Sequence, residues 1–211
     1  MSGKGSGMKA TVRALLVLIV GVGVIGGVLA YTVVRRGISA HEEPSRVEEM
    51  VARAMRRLAT PQAMRTLRNP VQPTDAVVEQ ALEHYADHCA ACHANDGSGD
   101  TGIGRGLYPR VPDMRGAETQ SLSDGELFSI IEHGIRLTGM PAWGTGTPEG
   151  ERDSWGLVHF IRRLPKLPSD DIERMEALNP KTPAQLKDEE ETRRFLEGDS
   201  SKPVPEKARQ D

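Results

Sequence analysis

Only two cysteines occur in 211 residues, and that scarcity excludes several chemistries at once. A four-cysteine zinc site needs a second pair, which the chain lacks. A disulfide between two cysteines three positions apart closes almost no loop and would add little stability. Aromatic residues are scarce too, at 4%, so side chains alone furnish a small apolar core. No sign of charge dominates: the formal net charge is -3, too small to argue for a partner. Its distribution is less even. Residues 1–74 hold 11 Lys/Arg and 4 Asp/Glu, whereas residues 75–165 hold 7 and 14. An acidic central segment argues against nucleic acid as a partner and for a basic patch on a docking protein.

The two cysteines stand in Cys89-Ala90-Ala91-Cys92-His93, the C-x-x-C-H spacing of covalent c-type haem attachment. Two thiols add across the two haem vinyl groups and hold the porphyrin where the adjacent imidazole meets iron from one face. A zinc ion held by both cysteines with His84, His88 or His93 would draw its ligands from one short helix, with no distant loop to close the site. A redox-active dithiol normally sits in a strand-helix pattern, which is absent here. Haem also answers the shortage of aromatics, since a buried porphyrin supplies apolar surface of its own.

The second face of the iron needs a ligand from far along the chain. Met140 lies 47 residues after His93, in Thr138-Gly139-Met140-Pro141-Ala142-Trp143-Gly144, between two helical patterns and with Pro141 stiffening the backbone behind the thioether. Met114 competes, but in Pro112-Asp113-Met114 it sits close behind the proline expected to support the histidine, and packing against the haem suits it better. A ligating imidazole usually donates its other N–H to a carbonyl. Pro112 is the expected acceptor, with Pro109 in reserve. His159 is a ligand only if Met140 is not. His84 and His88 are expected at the surface.

Residues 1–13 are a Gly/Ser-rich amino-terminal segment carrying Lys4, Lys9 and Arg13. From Ala14 to Val34 run 21 uncharged residues, enough to span a bilayer core as a helix and longer than the apolar core of a secretory signal. The nearest cleavage-like site, Ile38-Ser39-Ala40, is imperfect, so residues 14–34 read as an uncleaved anchor in preference to a cleaved signal. Residues 35–73 read as a linker. Within it Val47, Met50, Val51, Ala54 and Leu58 recur at helical spacing. They predict a short amphipathic helix on a membrane surface, on a partner or, as the default, in solvent. Pro61, Pro70 and Pro73 predict extended chain after it, and a wholly flexible tether of this length would reach about 30 to 35 Å.

Residues 74–165 predict a helical domain. Thr74 caps a helix running towards Cys89, and residues 94–104 are loop chemistry. Leu122, Ser123, Glu126 and Leu127 form a capping box with a hydrophobic staple, on a helix that Gly134 ends. Thr147, Pro148 and Glu149 open a last helix, expected to cross the first near Tyr85 and Trp155. Residues 166–211 are a charged, proline-containing extension. Asp170–Leu178 and Ala184–Leu196 are candidate helices there, and the chain from Gly198 onward is expected to be disordered.

Together these landmarks resemble a class I c-type cytochrome over about Ala76 to Leu164. They are Cys89-Ala90-Ala91-Cys92-His93 after an amino-terminal helix, Pro112-Asp113-Met114 in a loop, Leu127 to Gly134, Gly139-Met140-Pro141, and a final helix holding Trp155. The resemblance implies an all-α fold, a small three-to-four-helix cytochrome c fold around one covalent haem c, preceded here by a single transmembrane helix. It implies His93 and Met140 as axial ligands and Cys89 and Cys92 as thioether residues. Arg105, Tyr108 and Trp143 fall in stretches that commonly contact the haem or its propionates. An electron carrier is implied, not an enzyme, with redox proteins as donor and acceptor. Charge beside the apolar run does not fix orientation, but haem ligation outside the bacterial cytoplasmic membrane implies a periplasmic domain. The alternatives are a haem c subunit of a larger respiratory or dehydrogenase complex, and a haem sensor or peroxidase in which Met140 leaves the iron.

Overall fold

The computed structural model describes residues 4–37 and 39–197. Ile38, of the cleavage-like site, and the tail from Gly198 onward, where disorder is expected, lie outside the described residues. The chain divides into two units, Met1–Glu43 and Pro44–Asp211.

The first unit is one helix, α1, Lys4–Arg36. Within it Lys9–Arg35, 27 residues, is long and apolar enough to cross a membrane. Its apolar side chains point outward on all sides, with Leu15, Val22 and Ile25 each more than half exposed. A helix that is apolar all round is stable only where its surroundings are apolar as well. At its end Arg35 Nε donates to the Tyr31 hydroxyl at 2.9 Å.

The second unit holds helices and no strand among its described residues. In chain order it holds α2 (Arg46–Ala59), α3 (Gln62–Thr66), α4 (Asp75–His84), α5 (Ala90–His93), α6 (Gly102–Arg105), α7 (Ala117–Gln120), α8 (Asp124–His133), α9 (Pro148–Arg163), α10 (Ser169–Leu178) and α11 (Pro183–Leu196). The start signals act as their chemistry requires. The Thr74 side chain accepts from Val77 N–H, Ser123 and Glu126 close a capping box on α8, and Thr147 accepts from Gly150 N–H with Pro148 in the first turn of α9. Gly134 ends α8 at φ +64°, a left-handed conformation that glycine adopts without penalty.

The core is the crossing of α4 and α9, closed by α8. Gly156 lies over Val77 and Ala81, where a Cβ would stand 3.6 Å from each. One turn further along both helices the Tyr85 and Phe160 rings meet, with centroids 4.9 Å apart. The two helices thus cross near Tyr85 and Trp155, as the sequence predicts, but the ring that meets Tyr85 is that of Phe160. Trp155 stacks flat on Phe128 of α8, with centroids 4.1 Å apart and planes 7° from parallel. Successive helical residues point about 100° apart, so once Gly156 faces α4, Trp155 is turned towards α8. Arg162 bolts the far side, donating to the carbonyls of Gln120 and Leu122 and to Asp124.

Two segments flank this core: the one after Pro61 differs from the extended chain that its prolines suggest, and the one after α9 forms the helix expected over Asp170–Leu178. Residues 62–73 are laid on the domain. Met64 and Val71 pack against the core, Asn69 Nδ2 donates to the Trp155 carbonyl at 2.9 Å, and His159 Nε2 bonds the Val71 carbonyl at 2.8 Å. A Cβ on Gly125 would stand 1.9 Å from the Met64 carbonyl oxygen, so α3 lies directly on α8. Proline fixes φ and removes a donor, and neither effect keeps a chain away from its domain once other side chains satisfy its carbonyls. After α9, α10 buries Met175 completely and pairs Arg174 with Glu79 of α4. With the Asn179 amide turned so that its nitrogen faces the acceptors around it, that amide and the Asn95 amide bond reciprocally at 2.9 and 3.0 Å, and the Asn179 nitrogen donates to the Ala86 carbonyl at 3.0 Å.

Candidate haem site

Between α4 and α5 the helix widens into one π-helical turn, Tyr85–Cys89. The sequence reads as a single continuous helix there. Such turns insert a residue into the helical register and are frequent at functional sites. Here the turn sets Cys89, and α5 carries Cys92 and His93 one turn later. Both thiols are free and half-buried. Burial, and then the neighbouring Cys92, push the Cys89 thiol up to about 12.

A helix as short as α5 leaves its terminal carbonyls without intrahelical donors. Each finds one from elsewhere. Thr101 Oγ1 donates to the Cys92 carbonyl at 3.3 Å, Gly99 N–H to that of His93 at 2.8 Å, and the Tyr85 hydroxyl to that of Ala94 at 3.0 Å. Burial holds the Tyr85 phenol well above its ordinary range, so it remains a donor at any physiological pH. Ala94 turns the chain back at φ +61°. The returning loop comes so close that a Cβ on Gly104 would lie 2.7 Å from the Cys92 carbonyl and 2.3 Å from that of Gly99.

Burial pushes the His93 imidazole down to about 4, so at neutral pH it is uncharged, the form that binds a metal. Its Nδ1 is buried with no hydrogen-bond partner. The expected bond to the Pro112 carbonyl, or to that of Pro109, is therefore not formed. The reason lies in how that segment is pinned. The Val111 carbonyl lies against Gly99, where a Cβ would stand 2.7 Å from it. Met114 N–H donates to the Gly97 carbonyl at 2.8 Å, and Arg115 bridges Asp113 at 2.9 Å and Asp96 at 2.7 Å. Met114 itself is buried, with its carbonyl held by Gln120 Nε2 at 2.7 Å.

Met140 is half-buried, at the end of a self-bonded turn. Ile135 N–H donates to its carbonyl at 3.1 Å, its own N–H donates to Thr138 Oγ1 at 3.1 Å, and Thr138 Oγ1 donates to the Ile135 carbonyl at 2.8 Å. The turn is fixed to α8 through backbone, by Trp143 N–H to the Ile131 carbonyl at 3.0 Å and Gly144 N–H to that of Glu132 at 3.1 Å. Two contacts join it to the rest of the site. Gly139 lies against Leu107, where a Cβ would be 2.7 Å from Cδ1. The Trp143 ring meets His88, next to Cys89, edge-on at 5.4 Å. His88 in turn meets His84 at 5.0 Å.

Of the remaining sequence candidates, Tyr108 is exposed beside Leu107, and Pro112 is exposed. Arg105 is exposed and engaged with Asp100, not drawn towards the cysteines. His88 is at the surface as expected, but His84 is half-buried, and burial first, then His88, lowers its pKa. His159 is taken up by Val71. No three His, Cys, Asp or Glu side chains gather into a metal-binding group among the described residues, which counts against zinc. Two cysteines on one helical turn, an uncharged imidazole beside them and a thioether on an adjoining turn are a donor set that fits haem c. Tyr85, Gly99 and Gly104, which hold that set, are not identifiable as supports from sequence. Only the apolar stripe bearing Tyr85 and the glycine spacing of the loop hint at them.

Residues 76–161 match the family model described as cytochrome c oxidase, cbb3-type, subunit III. No curated protein matches the chain. Among solved structures it is similar to a chain of the Kuenenia stuttgartiensis reducing HAO-like protein complex Kustc0457/Kustc0458, at 20% identity and a TM-score of 0.39, covering 46% of this chain and 49% of that one. It thus spans about half the length of that relative.

Proposed function

Residues 76–161 are a c-type cytochrome domain, and from that premise we propose that the protein is a membrane-anchored monohaem electron carrier working on the periplasmic side of the cytoplasmic membrane. The observation that carries the reading is the pairing of Cys89 and Cys92 on one turn with the uncharged imidazole of His93. One C-x-x-C-H in the sequence accounts for one haem. Haem c, when bound, supplies a reversible one-electron couple whose potential a methionine ligand raises. Cys89 and Cys92 would hold the porphyrin edge, and His93 and Met140 would be the residues that bind its iron. Two protein ligands would leave the iron no open coordination site for a substrate, which favours an electron carrier over an enzyme. The helix α1 serves as the anchor.

A second reading has one observation in its favour, since the matching family model describes an oxidase subunit. In that case this chain is the haem c subunit of a larger oxidoreductase. Purification in mild detergent separates the two, a single component supporting the carrier and a stable larger partner supporting the subunit.

Reduced-minus-oxidised spectra of the full chain, with and without carbon monoxide, test the site. Wild type should show a low-spin c-type spectrum unchanged by carbon monoxide. Met140→Ala should lose the sulphur-to-iron charge-transfer band and bind carbon monoxide, while keeping its covalent haem. Retention of that band would remove Met140 from the iron. Rapid carbon monoxide binding by the wild type would point to a sensor or peroxidase. A colourless protein with two titratable thiols would overturn the haem assignment itself.

A further inference from the structure

The helix α2 is inverted with respect to the domain it belongs to. At 100° per residue, Met50, Ala54, Val47, Leu58, Val51 and Met55 fall on one arc, and Arg56, Glu49, Arg53, Arg46 and Arg57 on the other. A surface helix ordinarily turns its apolar stripe to the core. Here Val47 is 63% exposed, Met50 63%, Met55 60% and Leu58 85%. The link to the domain is made instead from the middle of the polar arc, where Arg53 pairs with Glu118 of α7 at 2.8 Å. The helix is well formed in its own right, with a complete capping box at Ser45 and Glu48, so its exposed stripe belongs to an ordered element.

Chain length says what covers that stripe. α1 ends at Arg36 and α2 starts at Arg46, leaving residues 37–45 as the connection. Nine residues reach at most about 30 Å fully extended and about 15 to 18 Å as a flexible coil. On its other side α2 runs directly into residues 62–73, which are fixed to the domain. The long tether expected from the sequence is therefore reduced to the nine residues that connect α2 to the end of the candidate membrane-crossing helix. Its charge suits an anionic surface, because four arginines against two glutamates, Glu48 and Glu49, leave it net positive by two. Arg57 stands at one edge of the apolar arc, beside Met50, where a long cationic side chain snorkels to headgroup phosphates, and Glu48 stands at the other.

We propose that α2 lies in the membrane surface, its apolar arc in the acyl boundary and Arg57 at lipid phosphates, and so holds the haem domain against the bilayer. This deepens the carrier reading and rests on α1 being the anchor. The domain then works within a short reach of the lipid surface, which suits a partner embedded in the same membrane.

The full-length holoprotein provides the test, because haem consumes Cys89 and Cys92 and a single introduced cysteine becomes the one free thiol. Val51→Cys, Leu58→Cys and, on the polar arc, Glu49→Cys are each labelled with a nitroxide. Each variant is reconstituted in vesicles of phosphatidylcholine and phosphatidylglycerol. Power saturation then compares collision with oxygen, which concentrates in lipid, and with a water-soluble nickel chelate. Oxygen should exceed nickel several-fold at positions 51 and 58, with the order reversed at 49. Nickel dominance at 51 and 58 would show a solvated helix, and protection from both probes would show a protein partner or a second copy over the stripe. Either result overturns the proposal while leaving the anchor in place. Protein left in the supernatant after the vesicles are pelleted would overturn the reading of α1, and this one with it.

Discussion

On the His93 side of the site three successive carbonyls, those of Cys92, His93 and Ala94, are met by Thr101, Gly99 and Tyr85, groups drawn from the returning loop and from the preceding helix. On the Met140 side the side-chain bonds stay between Ile135 and Met140, and Leu137 at the turn's tip is 89% exposed with φ +64°. One ligand is thus built into the frame of the domain, and the other rides on a turn whose own side-chain bonds are local and whose tip is exposed, tied to α8 at its far end. Local opening costs less free energy where a segment is sparsely packed, so the two sides should respond to damage in different ways. A defect beside His93 should lower the stability of the whole domain. A defect in the Met140 turn should loosen the axial sulphur and leave the fold intact.

Gly104→Ala should have the largest effect. Its Cβ would meet the Gly99 and Cys92 carbonyl oxygens at 2.3 and 2.7 Å, and backbone on both sides leaves nothing cheap to move. A loss of about 1 to 3 kcal/mol is expected, read as a lowered denaturation midpoint of the holoprotein. Tyr85→Phe comes next. It strips the Ala94 carbonyl of its donor and should cost about 1 to 2 kcal/mol, again as a global loss. Thr138→Ala removes two hydrogen bonds from the Met140 turn, one more than Tyr85→Phe takes away, yet should shift the midpoint by less than about 0.5 kcal/mol. It should instead weaken the sulphur-to-iron charge-transfer band and speed carbon monoxide binding. A Thr138→Ala midpoint as low as that of Tyr85→Phe would break the contrast between the two sides.

The same contrast governs what could be read from sequence. The Cys89, Cys92 and His93 set is legible because thioether chemistry fixes its spacing within one helical turn. The helices around it are legible because Thr74, Ser123 and Thr147 are side chains whose capping chemistry is local. The site's supports are long-range and leave no such mark. Nothing in the sequence ties Tyr85 to a carbonyl nine residues on through a π-helical turn, or Val111 to Gly99 in place of a proline carbonyl to His93. Proline counts mislead in residues 62–73, where Asn69 and His159 hold the chain to α9 across more than 80 positions. The inversion of α2 is of the same kind. Periodicity reveals the stripe, but only the Arg53 and Glu118 pair reveals which side faces the domain.

Acid sharpens the comparison by the smallest amount, and it acts on the His93 side alone. Hydrogen bonding from Arg115 holds the Asp113 carboxyl below its ordinary value of 3.8. Burial works to raise that of Asp96, but the Ser98 hydroxyl and amide and the Arg115 charge outweigh it and keep it below 3.8 as well. Both carboxyls therefore release their protons more readily in the folded state. The stabilisation is fully present above the unfolded value and is lost as pH falls through the lower, folded values. Since Arg115 and Asp113 are well exposed, at 39% and 48% of their side chains, solvent screening keeps the contribution to about 0.5 kcal/mol. Arg115→Gln should lower stability by that amount at pH 7, and its gap from wild type in urea melts should close below pH 4. The Thr138→Ala gap, resting on an uncharged hydroxyl, should stay constant over the same range, so two gaps closing in parallel would mean that the two sides share one electrostatic frame after all.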